Sequence, residues 1–371
     1  MAEKSNLHEL SARGQSVWID YLSRDLIEQG ELKRMMGEDA VVGVTSNPTI
    51  FQKAIAHGDA YDDQLKELLE RQDDAKEIFL ELSARDVASA IDLLAPVHER
   101  TGYDGFVSWE VDPTLAYDRE ATFAEAMRLH AWIDKPNLYV KIPATRPGLG
   151  AIEDSVAHGK NINVTLIFSL QRYAEVVEAY LRGLERLVAG GGRPKNIYSV
   201  ASFFVSRVDT EADKRLEKIG SKDALALRGK LAVANAKLAY EHYQASFSGP
   251  RWEFLAGKGA NPQRCLWAST STKNPEYRDV LYVEELIGPD TVNTMPEETI
   301  DAFQDHGKVR GDTVEDDVEA AHKLLKKLAK VGVDYDDVTE TLELEGVQKF
   351  ADSFAELLDG VLMKRGVLAR A

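Results

Sequence analysis

The chain has a single cysteine, Cys265, among 371 residues, so no internal disulfide framework is available to it and a reducing compartment is expected. It has no apolar run of membrane-spanning length, and its opening, MAEKSNLHEL, shows neither the basic nor the apolar region of a secretion signal. A cytoplasmic location without a membrane partner is therefore expected. Positive charge is also in deficit. Forty-five Lys and Arg stand against 62 Asp and Glu, a net charge of −17, which opposes a phosphate backbone and argues against nucleic acid as a partner. The eight histidines occur in no HExxH or similar ligand spacing, and one thiol cannot build a thiolate site, so neither a metal nor a cofactor is expected. P-loop and GxSxG motifs are missing too, which leaves nucleotide phosphoryl transfer and serine hydrolysis without support.

What is present is an alternation. Short β-rich runs at 17–20, 41–45, 106–111, 138–143, 162–168, 197–204, 265–270 and 291–295 are separated by amphipathic stretches at 60–71, 74–100, 119–132, 170–188, 206–219 and 222–247. Strands separated by helices read as parallel βαβ units, and eight of them read as a closed α/β (β/α)8 TIM barrel. An open doubly wound sheet is the second choice, but no GxGxxG follows the first strand. Residues 46–104 leave room for two or three extra helices after strand two. A helical tail with apolar spacing of three and four follows strand eight, near 314–331 and 346–365. No Pro/Gly/Ser linker divides the chain. One domain, 1–371, is expected, with the barrel at about 15–300 and the tail helices at about 300–371 packed on it.

In such barrels chemistry gathers at the carboxyl ends of the strands. Strand one ends in Asp20, and strand two runs into Thr45-Ser46-Asn47-Pro48. Strand three carries Glu110, strand four Lys141, strand five Asn163 and Thr165, and strand six Ser202 with Arg207 just beyond. Strand seven leads to Ser271 and Lys273. Parity puts Asn163 with Thr165, Ser108 with Glu110, and Gly43 with Thr45 and Asn47 on the inner face, and sets the apolar residues between them against the helices. The Gly190-Gly191-Gly192 run looks like a phosphate cradle, yet it follows a helix and precedes a strand, which assigns it to the far end of the barrel.

Lys141, in Leu-Tyr-Val-Lys-Ile-Pro, is the most telling residue. Lysine is disfavoured in strands, and burial lowers its pKa toward the free amine that attacks a ketone. Alone, it would read as a strand-tip lysine whose ammonium reaches water. Its company reverses that reading, because Asp20, Asn47, Glu110 and Thr165 are expected at the same end of the barrel. Glu110 and Asp20 are candidates for proton transfer, although each taken singly would read as a solvated or capping carboxylate. Asn47-Pro48 also suits a helix start, and Ser202 and Arg207 have a simpler reading as ordinary helix-start residues, yet Arg207 just past a strand's end, at a helix N-terminus, suits a phosphate.

Three segments carry a resemblance. Gly43-Val-Thr-Ser-Asn-Pro-Thr-Ile-Phe51, Tyr139-Val-Lys-Ile-Pro-Ala144 and Asn163-Val-Thr-Leu-Ile-Phe-Ser169 resemble signature segments of transaldolases, in order, within a match running from about residue 17 to 295. The long chain resembles the larger bacterial branch. The resemblance implies that Lys141 forms a Schiff base and that Glu110 is the acid/base, working through a water held with Thr165. It implies that Asp20 takes the C4 hydroxyl proton during C–C cleavage. Thr45, Asn47, Asn163 and Ser202 would hold that water and the dihydroxyacetone unit, and Arg207 the phosphate. A second phosphate cation, an arginine in the family, falls nearest to Lys273. The partners are then sugar phosphates. The implied reaction takes a dihydroxyacetone unit from sedoheptulose 7-phosphate to glyceraldehyde 3-phosphate, giving erythrose 4-phosphate and fructose 6-phosphate, in the pentose phosphate pathway. The alternatives are a fructose 6-phosphate aldolase releasing dihydroxyacetone and a non-catalytic phosphosugar-binding barrel.

Overall fold

All eight expected strands are present in the computed structural model, which describes residues 5–56 and 59–368. They are β1 (Gln15–Ile19), β2 (Val41–Val44), β3 (Phe106–Glu110), β4 (Leu138–Pro143), β5 (Ile162–Ile167), β6 (Ser199–Phe204), β7 (Gln263–Ala268) and β8 (Thr291–Met295). Their order round the barrel is their order in the chain, and β8 pairs in parallel with β1 to close it. Each βα unit starts from local chemistry. The Asp74 carboxylate accepts from the amides of Lys76 and Glu77 at the head of the helix Ala75–Thr101, and Asp118 and Ser169 cap Arg119–Trp132 and Leu170–Ala189 in the same way.

The inner and outer faces follow the expected parity. Trp109 Nε1 donates to Ser83 Oγ of the covering helix at 3.2 Å, so Trp109 points outward. Its neighbour Ser108 points inward, where its hydroxyl accepts from Asn163 Nδ2 at 3.0 Å, and Asn163 Oδ1 accepts from Ser202 Oγ at 2.7 Å. Below this polar layer the interior is filled by aromatics. Phe106 stacks on Tyr139 with centroids 4.1 Å apart, and the Trp18 indole lies where a Cβ on Gly43 would sit 2.3 Å from it. Any side chain at Gly43 would expel that indole, which is the packing reason for glycine there. At the amino-terminal end the Arg264 guanidinium pairs with Asp104 at 3.2 Å and donates to Ser16 Oγ and Thr291 O. This buried pair ties β7, β8, β1 and the start of β3 together, and removing one partner costs about 3–5 kcal/mol.

Three helices fill the connection after β2: Pro48–Ala56, Asp62–Leu69 and Ala75–Thr101. Beyond β8 come Glu297–His306, Val318–Val331 and a terminal helix, Tyr335–Leu368. The terminal helix begins well before the expected 346. Tyr335 anchors its start, donating its hydroxyl to Asn235 Oδ1 at 2.6 Å and accepting from the Leu170 amide, and Asp336 and Asp337 complement the positive end of the helix. The stretch 222–247, expected as one helix, is two: Lys222–Leu225 and Leu231–Ser246. Gly229 breaks it, because its φ of +67° is left-handed and its amide donates to Asp213 Oδ1.

The terminal helix crosses the carboxyl end of the barrel and meets the extra helices. Ser353 Oγ accepts from Thr49 Oγ1 at 2.8 Å, Phe354 packs edge-on to Phe79, and Lys364 pairs with Asp62. A Cβ on Gly346 would lie 3.2 Å from the Leu166 side chain, so glycine there lets the helix approach β5 closely. Leu166 itself has φ +61°, a strained conformation immediately after Thr165.

Candidate active site

A cavity of about 320 Å³ opens at the carboxyl end of the barrel beneath the terminal helix. Asp20 from the end of β1, Thr45 and Asn47 from the end of β2, Lys141 of β4, Thr165 of β5 and Ser202 of β6 line it. So do Arg207, in the first turn of the helix Ser206–Ile219, and Lys273, on the loop after β7. Glu110 and Asn163, the other two expected residues, stand directly against this lining through Lys141 and Ser202. The expected residues, spread from Asp20 to Lys273 in the chain, are thus gathered in one hollow. The Gly190–Gly192 run lies between the helix Leu170–Ala189 and β6, away from it.

The Lys141 side chain is 6% exposed. Its Nζ donates to the Ser46 carbonyl at 2.9 Å and stands 3.4 Å from Glu110 Oε2, whose side chain is 4% exposed. Burial raises the Glu110 pKa above its ordinary value, and the charge and hydrogen bond of Lys141 oppose that rise without cancelling it. The other carboxylate oxygen, Glu110 Oε1, and the hydroxyl Thr165 Oγ1 are both buried and have no hydrogen-bond partner among the described residues. These two orphaned polar atoms beside Lys141 are groups available to a ligand or a water.

Asp20 forms a second acidic centre. Thr45 Oγ1 donates to its Oδ1 at 2.8 Å and shares a contact of 2.6 Å with Thr294 Oγ1. Burial raises the Asp20 pKa, against the pull of Lys141, the Thr45 hydrogen bond and Arg207. Asn47 combines the two roles open to it, since its side chain accepts from the Ile50 amide at the helix start while it lines the cavity.

Arg207 makes no ion pair among the described residues. Its guanidinium lies over the Phe204 ring at 4.8 Å and within 5.9 Å of the Phe350 ring centroid, and burial lowers its pKa. Phe350 is also 5.9 Å from Lys141 Nζ. Five cations, Lys53, Lys141, Arg207, Lys273 and Lys349, line the cavity against two carboxylates, Asp20 and Glu298. On a chain of net charge −17 this is a local reversal of sign, and it favours an anionic ligand.

Sequence reasoning passed over several of these groups. Lys349 and Phe350 come from the middle of the terminal helix, and nothing local in their sequence marks them. Thr294 was findable, because β8 ends in polar Asn293-Thr294 as the other strands end in polar residues. The Ser46 carbonyl that holds Lys141 is a backbone group, invisible to residue type.

A closed barrel with a buried amine, a buried and a half-buried carboxylate, and a cationic mouth defines a (β/α)8 enzyme whose chemistry is run by side chains at the strand ends. Comparison with known proteins narrows this. Residues 17–361 match the transaldolase/fructose-6-phosphate aldolase family, and the chain belongs to that family. It is 53% identical to a protein named transaldolase from Frankia alni over 361 residues, covering 97% of each chain. Identity to proteins of the same name is 54% over 358 residues in Thermobifida fusca, covering 96% of this chain and 97% of the relative, and 53% over 358 residues in Mycobacterium leprae, covering 96% of each.

Proposed function

We propose that the chain is a transaldolase, a transferase that moves a dihydroxyacetone unit between sugar phosphates through a Schiff base on Lys141. The carrying observation is the Lys141 amine, buried at 3.4 Å from Glu110 in a cationic cavity, in a chain about half identical over its length to proteins named transaldolase. Lys141 Nζ attacks the C2 ketone of the donor sugar, and loss of water from the carbinolamine gives a protonated imine. Glu110 moves the protons of these steps through a water that its free oxygen shares with Thr165; the orphaned Oε1 and Oγ1 atoms support that arrangement.

Asp20, made more basic by burial, takes the C4 hydroxyl proton. The C3–C4 bond then breaks, its electron pair passing into the imine to give the enamine, and the aldehyde phosphate departs. A second aldehyde phosphate enters, the steps reverse on it, and water releases the ketose. Thr45, Asn47, Asn163 and Ser202 orient the three-carbon unit and the water, while Arg207 and Lys273 hold the phosphate. Sedoheptulose 7-phosphate as donor, glyceraldehyde 3-phosphate as acceptor, the pentose phosphate pathway and a cytoplasmic setting belong to this reading. So does the treatment of barrel and tail helices as one domain, which the Thr49–Ser353 and Lys364–Asp62 contacts support.

The test is borohydride reduction in the presence of fructose 6-phosphate, followed by peptide mass mapping. A three-carbon adduct on Lys141, discharged when erythrose 4-phosphate is supplied before reduction, is the expected result. An adduct that turns over by releasing free dihydroxyacetone instead would identify a fructose 6-phosphate aldolase. Folded protein that forms no adduct would defeat the imine reading.

A further inference from the structure

Two hollows meet at the mouth of the site. The catalytic cavity adjoins a second one of about 330 Å³, lined by Arg207, Thr210, Glu211, Lys273, Leu342, Glu345, Gly346 and Lys349. Arg207, Lys273 and Lys349 line both, so these three cations surround the passage between them. Lys53 lines only the catalytic cavity, with Thr49 and Ile50.

None of the three forms a salt bridge among the described residues, although Asp20 lies near enough to act on Arg207. Among the described residues, neither Arg207 nor Lys349 makes an ion pair or a hydrogen bond, and Lys273 donates only to the hydroxyl of Ser271. The contrast with the neighbouring surface is informative. Glu211 in the second hollow is taken by Lys214 and Arg215, and Arg215 also pairs with Asp337 of the terminal helix. Asp20 and Glu298 line the first hollow and Glu211 and Glu345 the second, but among the described residues none of them forms a salt bridge with these three cations, which repel one another at a cost that an anion bound among them offsets. The helix Ser206–Ile219, with Arg207 in its first turn, presents its positive end to the same place.

Lys349 is held there by its neighbours in the terminal helix. Phe350, 4% exposed, packs beside Arg207, and Gly346, one turn earlier, seats the helix against Leu166 and Phe168. We infer that Lys349 is a phosphate-binding residue of this site, so that the terminal helix supplies a third cation to the phosphate and selects phosphorylated over unphosphorylated aldehydes. This rests on the sugar-phosphate reading above.

The test has two independent readouts. Binding of inorganic phosphate to the full chain is measured directly, and kinetics are run with erythrose 4-phosphate and with unphosphorylated erythrose as acceptors. Lys349→Gln is expected to weaken phosphate binding and raise KM for the phosphorylated acceptor by about tenfold, with kcat and the unphosphorylated acceptor little changed. Lys349→Arg restores both. Lys330→Gln, which removes the same charge from the preceding helix outside the cavity, changes neither. Unaltered phosphate binding in Lys349→Gln, or equal losses with both acceptors, would overturn the inference. If the wild type forms no imine yet its phosphate binding depends on Lys349, the catalytic reading fails and this one stands.

Discussion

Replacing Glu110 by Gln separates proton transfer from everything else the residue does. Its oxygen Oε2 is 3.4 Å from Lys141 Nζ, and Gln keeps an oxygen able to accept from that amine. Removing one partner of a buried ion pair costs about 3–5 kcal/mol when nothing replaces it. Here that loss is offset from two sides. Ser46 O continues to accept from Lys141 at 2.9 Å, and the desolvation that raises the Glu110 pKa disappears with its charge. The melting temperature should therefore move by less than about 3 °C. Turnover should not survive so well. A positioned acid/base contributes about 10²–10⁴ in rate, or about 3–5 kcal/mol of barrier, and the amide cannot supply it.

The pH profile adds a second signature. As a proton acceptor Glu110 works in its ionised form, so activity falls as pH drops through its folded pKa, which burial places above the ordinary glutamate range. The acid limb of kcat/KM in the wild type should lie above the ordinary carboxylate range, and in Glu110→Gln it should change shape, keeping only the limb that Asp20 imposes. The assay is formation of fructose 6-phosphate from sedoheptulose 7-phosphate and glyceraldehyde 3-phosphate across pH, with a thermal melt of the same samples. A variant within threefold of wild-type kcat, with an unchanged acid limb, would refute the assignment.

Asp20→Asn should still form the imine but not cleave the sugar, so borohydride should trap the whole six-carbon chain on Lys141; a three-carbon adduct at the wild-type rate would exclude Asp20 as the cleavage base. The same variant should melt higher than wild type at neutral pH. Burial holds the folded Asp20 pKa above the ordinary aspartate range, so the stability carried by the protonated form is lost as pH rises through the folded pKa, and the two proteins should converge below that ordinary range. Phe350→Ala should cost about 3–5 kcal/mol and raise release of dihydroxyacetone relative to transfer, since the ring lies 5.9 Å from Lys141 Nζ; an unchanged partition ratio would remove its shielding role. Burial pushes the Asp209 pKa up to about 7 against the Ala232 amide and Tyr282 hydroxyl that donate to it, so wild type should lose stability relative to Asp209→Asn as pH rises toward and through 7, and parallel melting curves across that window would count against it.

The eight strands were legible in the sequence to within two residues because strand formation here is a local matter of pattern. Runs such as Ile-Asn-Val-Thr-Leu-Ile in β5 declare themselves by composition and by the helical periods on either side. The polar tips of those strands were legible for the same reason, since Asp20, Glu110, Lys141 and Thr165 break apolar runs where a barrel gathers its chemistry. Those tips made the barrel and the gathering of polar side chains at its carboxyl end legible. Tertiary structure decided what chain position does not encode. The Gly229 break depends on Asp213 and Tyr277, and the early start of the terminal helix depends on Asn235 and Leu170. The presence of Lys349 and Phe350 at the cavity depends on how a helix packs across the barrel mouth. Local pattern tells a helix which face is apolar. It does not say which surface that face will cover, because that is settled by contacts between residues hundreds of positions apart, such as Ser353 with Thr49.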